Sequence, residues 1–237
     1  MAALSGAALA VPLAGCTTTQ TEAQRLQLDA ARQRAALVST RVSVASRTVT
    51  ASRIGLVREG RDTAVVVTVR NTGGRPVSDL PISVGYERPA GARVYLNDTA
   101  NLGYFEAHLP VVAAGRELTW VYTTHAALPA GARPFAVIGV KPAAPARITE
   151  PVLRIGLEYG HLTGSGSVSV HLDNQTGVPQ YQLQVYAYAR QGDRYVAAGN
   201  ATVAELNGDS RRHLELRLVG AAASATLHVQ AVPTILQ

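Results

Sequence analysis

Cys16 is the only cysteine in 237 residues, so no internal disulfide can staple the fold and apolar cores must hold it alone. Met1 is the only methionine, and with so little sulfur the chain has no means for methionine- or cysteine-rich copper chemistry. Lysine is confined to Lys141, and the other basic residues are arginines scattered singly between apolar neighbours. Without a dense basic run the chain is a poor match for nucleic acid. Its formal charge of +6 still favours contact with anionic polymers or lipid headgroups. Charged residues are also scarce, at 16% against 47% apolar, a balance that suits folded β-rich domains and not a disordered chain.

Signatures of catalysis are equally thin. No Gly-x-Ser-x-Gly elbow occurs, and Gly164-Ser165-Gly166-Ser167 reads as a hairpin-like loop without the strand-to-helix context a nucleophile needs. The histidines, His108, His125, His161, His171, His213 and His228, are dispersed. Of these, His171, His213 and His228 fall on solvent-facing strand positions and read as polar residues filling alternate places, not as metal ligands. Asn97, Asp98 and Asn101 form a polar turn with too few carboxylates for Ca²⁺. The expectation is a non-enzymatic protein with no cofactor and no metal site.

The N-terminus carries a clearer signal. Residues 2–14 are uncharged, almost wholly small or apolar, and lead into Leu13-Ala14-Gly15-Cys16. The run is shorter than the ~20 apolar residues a spanning helix needs, but it fits the apolar core of a signal segment. Leu13-Ala14-Gly15-Cys16 resembles the bacterial lipobox, although no Lys or Arg precedes the apolar run. The resemblance implies that residues 1–15 are cleaved as a signal peptide and that Cys16 receives a diacylglyceryl group. The chain would then be exported and lipid-anchored, with its domains extracytoplasmic. Each buried lipid methylene contributes on the order of 0.8 kcal/mol, so multiple acyl chains anchor stably.

Residues 16–40 read as a lipidated tether and spacer helix. Thr19 and Glu22 fit a capping box, and 20–38 are rich in Ala, Leu, Gln and Arg without Gly or Pro.

Beyond this the chain repeats itself at an offset of about one hundred residues. Arg53-Ile54-Gly55-Leu56 recurs as Arg154-Ile155-Gly156-Leu157, and the stretch from Val65 to Asn71 as that from Val168 to Asn174. Leu80 to Tyr86 answers Tyr181 to Arg190, Glu117 to Tyr122 answers His213 to Val219, and Phe135 to Val140 answers Leu227 to Val232. Alternation is clear in Val168, Val170 and Leu172 against Ser167, Ser169 and His171, the mark of a strand with one buried face. The Asn-Thr-Gly and Asn-Gln-Thr-Gly stretches read as turns, since Asn and Gly tolerate positive φ.

Short strands between such turns predict an all-β fold of two tandem immunoglobulin-like β-sandwiches, preceded by the signal segment and short α-helix. The sandwiches span 41–140 and 148–237. Between them, 141–147 holds two prolines and reads as a semi-rigid spacer that allows a limited range of mutual angles. The run from Asn174 to Gly177, then Val185-Tyr186-Ala187-Tyr188, then Gly192 resembles the FxLYD group of bacterial envelope modules. It departs from that pattern at Val185, Ala187 and Ala189. The resemblance implies the fold and an exported location, and no particular function.

One strand suggests a binding face. Along Tyr181 to Arg190 the odd positions read as core, so Gln182, Gln184, Tyr186, Tyr188 and Arg190 face outward as a candidate interaction strip. The leading expectation is a membrane-anchored envelope lipoprotein presenting its modules to another envelope protein. The alternative is a lipoprotein that binds a cell-wall polymer or glycan, with an anionic wall polymer as partner.

Overall fold

The computed structural model of the protein describes residues 41–89, 91–99, 101–140, 155–162, 166–177, 179–222 and 224–234. Cys16, the expected helix over 20–38 and the 141–147 spacer lie outside the described residues. The described chain is all-β, built from antiparallel sheets with one four-residue helix. Among the described residues no helix is long and apolar enough to cross a membrane.

The N-terminal half contains β1 (Val49–Glu59), β2 (Asp62–Asn71), β3 (Leu80–Glu87), β4 (Arg93–Tyr95), α1 (Tyr104–Ala107), β5 (His108–Leu109), β6 (Glu117–Thr124) and β7 (Arg133–Ile138). The C-terminal half contains β8 (Ile155–Leu162), β9 (Ser167–Asn174), β10 (Gln180–Gln191), β11 (Arg194–Leu206), β12 (Ser210–Arg217), β13 (Val219–Gly220) and β14 (Thr226–Val232). In the first half β2 lies between β1 and β6, while β3 pairs with β4, β5 and β7. In the second half β9 lies between β8 and β12, while β10 lies between β11 and β14. The five segments that repeat in the sequence therefore take the same places in both halves. β1 matches β8, β2 matches β9, β3 matches β10, β6 matches β12 and β7 matches β14.

The likeness extends to single atoms. Asn71 ends β2 and Asn174 ends β9, and both side chains are fully buried. Asn71 Oδ1 accepts the Gly73 amide at 2.9 Å, and Asn174 Oδ1 accepts the Thr176 amide at 3.2 Å. Each Nδ2 then donates to neighbouring carbonyls, Asn71 to Arg75 (2.9 Å) and Val112 (3.1 Å), Asn174 to Asn207 (2.9 Å). The expected positive φ is absent from Asn71, Gly73, Asn174 and Gly177. These turns are held by side-chain hydrogen bonds to the backbone and not by left-handed residues.

Each half closes a core between its two sheets. Val65, Val67, Val69, Leu118 and Trp120 are buried with Ile82, Val84 and Ile138 in the first. Val168, Val170, Leu172 and Leu216 meet Leu183, Val185, Ala187 and Val229 in the second. The first cluster does not stop at its own half: it continues into Tyr186, Tyr188, Tyr195, Ala198 and Val219. The four sheets are stacked, with the β1-β2-β6 sheet covered on both faces. That position explains the unbroken run Ala64-Val65-Val66-Val67, every residue of which has no exposed surface. Strands covered on both faces lose the alternation of a half-exposed strand.

Candidate functional site

The strip expected on β10 sits inside the molecule. Alternation is as the sequence predicts, with Leu183, Val185, Ala187 and Ala189 turned into the core of the C-terminal half. Of the even positions, Tyr186 and Tyr188 join the core of the β1-β2-β6 sheet, while Gln184 bonds the Gln182 carbonyl and Thr202 within its own sheet. Tyr186 and Gln184 are buried, Tyr188 is 9% exposed, and Gln182 and Arg190 are half-buried. A face that points away from the core of the C-terminal half is thus covered by the N-terminal half. The reason is the second apolar face of the β1-β2-β6 sheet, where Val66 and Val121 would otherwise contact water.

Sequence reasoning missed the residues that complete this junction. Between Ala189 and Arg190 the pairing of β10 with β11 slips by one residue. The bulge brings Tyr195 to the same face as Ala198, with which it shares the first core cluster. The Tyr195 ring lies against Gly55 so closely that a Cβ there would sit 2.5 Å from Cδ2. Its hydroxyl meets Thr68 Oγ1 at 2.6 Å. Thr123 Oγ1 donates to Asn200 Oδ1 at 2.8 Å, and the Thr119 amide to Gln230 Oε1 at 3.4 Å. Two polar atoms of the strip are left without a partner, Arg190 Nε and the Tyr186 hydroxyl. The Tyr186 hydroxyl is buried with no hydrogen-bond partner, and burial pushes its pKa well above 10.0. The signal for this junction was the Ala64–Val67 run, which lacks the alternation seen in β9.

Among the described residues, two recesses of different character border the junction. One is a pocket of about 310 Å³ lined by Asp62, Thr123, His125, Asn200, Glu215 and Arg217. Here Asp62 accepts from His125 Nδ1 at 2.7 Å and pairs with Arg217 at 3.3 Å, tying β2 to β12 across the halves. The other is a groove of about 660 Å³ whose walls include Arg58, Pro134, Arg194 and Gly220. Beside it Asp193 takes Arg53 and Arg190, each at 3.1 Å, and Glu59 accepts the Gly220 amide at 3.1 Å.

Other sequence candidates resolve individually. His171 and His213 are cross-strand partners with ring centroids 4.7 Å apart, while His228 lies on another sheet, stacked on Tyr188 at 5.0 Å. His213 Nε2 lies 2.7 Å from Ser169 Oγ and 3.3 Å from Glu215. Among the described residues no group of three or more His, Cys, Asp or Glu is placed to hold a metal ion. Asn97 is 2% exposed and structural: it donates to the Ile82 and Glu106 carbonyls and accepts the Val84 amide. Asp98 pairs with Arg41.

No protein-family model matches this chain, and no curated protein shows significant similarity to it.

Proposed function

We propose that the chain is an exported bacterial envelope lipoprotein, held at the membrane through acyl chains on Cys16. Two immunoglobulin-like sandwiches, fused through the tyrosine junction into one body, serve it as a non-enzymatic contact module for another envelope protein. The observation that carries the reading is Leu13-Ala14-Gly15-Cys16, with the sole cysteine of the chain at the place where a lipobox requires it. The all-β architecture and the repeated strand order support the second part. Burial of Tyr186 and Tyr188 moves the surface available to a partner away from the β10 strip, to the rims and outer sheets.

The test is membrane fractionation of cells making the full chain or Cys16→Ser, followed by cross-linking and mass spectrometry of what is captured. Membrane association lost in the variant, together with one dominant protein partner, supports the reading. Equal membrane association in both forms removes the lipid anchor.

A second reading, contact with an anionic wall polymer, is favoured by the arginines around the larger recess. In this reading strong salt dependence of binding to wall material replaces the protein partner.

A further inference from the structure

At one tip of the N-terminal half, where β1 and β6 start and β2 and β7 stop, an apolar point lies beside a group of arginines. Among the described residues only two large apolar side chains are exposed, Val44 at 60% and Val140 at 46%. They are neighbours, because Ala45 bridges Gly139 and the Ser46 amide donates to the Ile138 carbonyl at 2.8 Å. A lone exposed valine carries no information, whereas two side by side on a surface otherwise clear of such residues set this tip apart.

The arginines are gathered by the buried Asn71. Its amide donates to the Arg116 carbonyl at 3.0 Å and its Nδ2 to the Arg75 carbonyl at 2.9 Å, while the next amide, that of Thr72, donates to the Thr48 carbonyl at 2.8 Å. Arg47, Arg70, Arg75 and Arg116 therefore leave the backbone at, or one residue from, a single hydrogen-bonded corner. All four are exposed, and none has an ion-pair partner among the described residues. The acids of this tip are Glu117 and Asp79, bonded by Ser52 and Ser78, so positive charge is in excess. Val44 lies three residues before Arg47 in the chain. Residue 41, the first described, is joined to Arg47 by at most about 20 Å of extended chain.

We propose that this tip, Val44 and Val140 with Arg47, Arg70, Arg75 and Arg116, faces the membrane and contacts anionic phospholipid headgroups. The proposal rests on the Cys16 anchor proposed above, whose tether enters the body close by. Acyl chains hold a protein at a bilayer whatever its tilt, and a basic tip with an apolar point selects one tilt. Each arginine near an anionic surface adds to the attraction, and the valines fit the apolar layer beneath the headgroups. A soluble polyanion would gain from the arginines and nothing from the valines. The opposite end of β1 carries Arg58 beside Arg194 but no exposed large apolar residue.

The test measures co-sedimentation of the full chain carrying Cys16→Ser, which cannot be acylated, with vesicles of phosphatidylcholine alone or mixed with phosphatidylglycerol. The readout is the excess affinity for the mixed vesicles, from which any contribution of residues 1–15 cancels. An excess that falls as salt rises is expected. Arg47→Gln with Arg116→Gln should lower affinity for the mixed vesicles about fivefold per arginine removed. Arg58→Gln with Arg194→Gln, at the opposite tip, should leave it unchanged. Val44→Ser with Val140→Ser should weaken binding to the mixed vesicles at every salt concentration. No excess on phosphatidylglycerol overturns the membrane-facing tip and leaves the Cys16 anchor, which fractionation tests, standing. Equal losses in the two arginine pairs show attraction to net charge alone and overturn it as well. So does binding that ignores the valine pair.

Discussion

β2 and β9 occupy the same place in the two halves, end in the same buried asparagine, and differ in one respect. Inward positions agree: Val65, Val67 and Val69 match Val168, Val170 and Leu172, all buried. Outward positions diverge, with Val66 and Thr68 in β2 against Ser169 and His171 in β9. The first pair is covered by the other half, and the second faces solvent or its rim. Strand order is therefore a property of the repeated unit, whereas the number of buried faces is set by the neighbour. The stack also ends for a visible reason. Its last outward face carries Ser169, His171, His213 and Glu215, a polar surface that does not accept another apolar sheet. At the opposite end the Val42 amide bonds Ser83 Oγ at 2.9 Å. There Arg41 and Arg93 also lie over the Tyr95 and Phe135 rings, each at 4.8 Å.

The largest effect should come from placing one charge at the two matched outward positions. Val66→Asp puts a carboxylate into the junction and should cost about 3–5 kcal/mol, while Ser169→Asp should change stability by less than about 0.5 kcal/mol. Urea unfolding reads both, and equal costs would dissolve the distinction between the strands. Where the halves agree, so should the variants: Asn71→Ala and Asn174→Ala each strand buried backbone groups and should lose about 2–3 kcal/mol apiece. A gap of more than about 2 kcal/mol between them in the same assay would show that the two asparagines do not share a role. Gly55→Ala pushes a methyl into the Tyr195 ring, and overpacking of this kind costs typically about 1–3 kcal/mol. Pairing it with Tyr195→Leu should recover part of that loss if the clash is the cause.

Smallest, and opposite in sign, is Tyr186→Phe. Removing a buried hydroxyl without a partner should raise stability by about 1 kcal/mol. It should also change the alkaline limb. Because burial holds the Tyr186 pKa above 10.0, the folded state keeps its full stability below that pH and loses it as pH rises further. The phenylalanine variant should lose less between neutral pH and pH above 10, with the remainder due in part to Tyr122, whose pKa burial also raises. An unchanged alkaline limb would place the Tyr186 hydroxyl in contact with water.

Much of the fold was legible because the repeat supplied two readings of each strand. Alternation in β9 and β12 is plain where one face meets water. Along β10 the odd-even assignment holds from Leu183 to Ala189, while Tyr181 is half-buried outside the core and Gln182 takes a left-handed φ. What stayed hidden was the destination of the even face. A tyrosine leaving one core reads the same whether it enters solvent or a second apolar surface, and only β2, in a distant segment, held the distinguishing run. The Tyr195 bulge was hidden for a related reason: a one-residue slip in pairing leaves no mark in composition. The buried asparagines were seen as turn formers, since the carbonyls that make them structural come from residues as far away as Val112 and Asn207.

The most direct measurement of the junction is differential scanning calorimetry of the full chain in mild detergent, with Tyr195→Ala alongside. If the two halves form one cooperative body, the wild type should show a single transition with equal calorimetric and van't Hoff enthalpies, and Tyr195→Ala should lower or split it. Two independent transitions in the wild type, with Tyr195→Ala moving only one, would contradict the fused junction and return the halves to separate modules on a proline spacer.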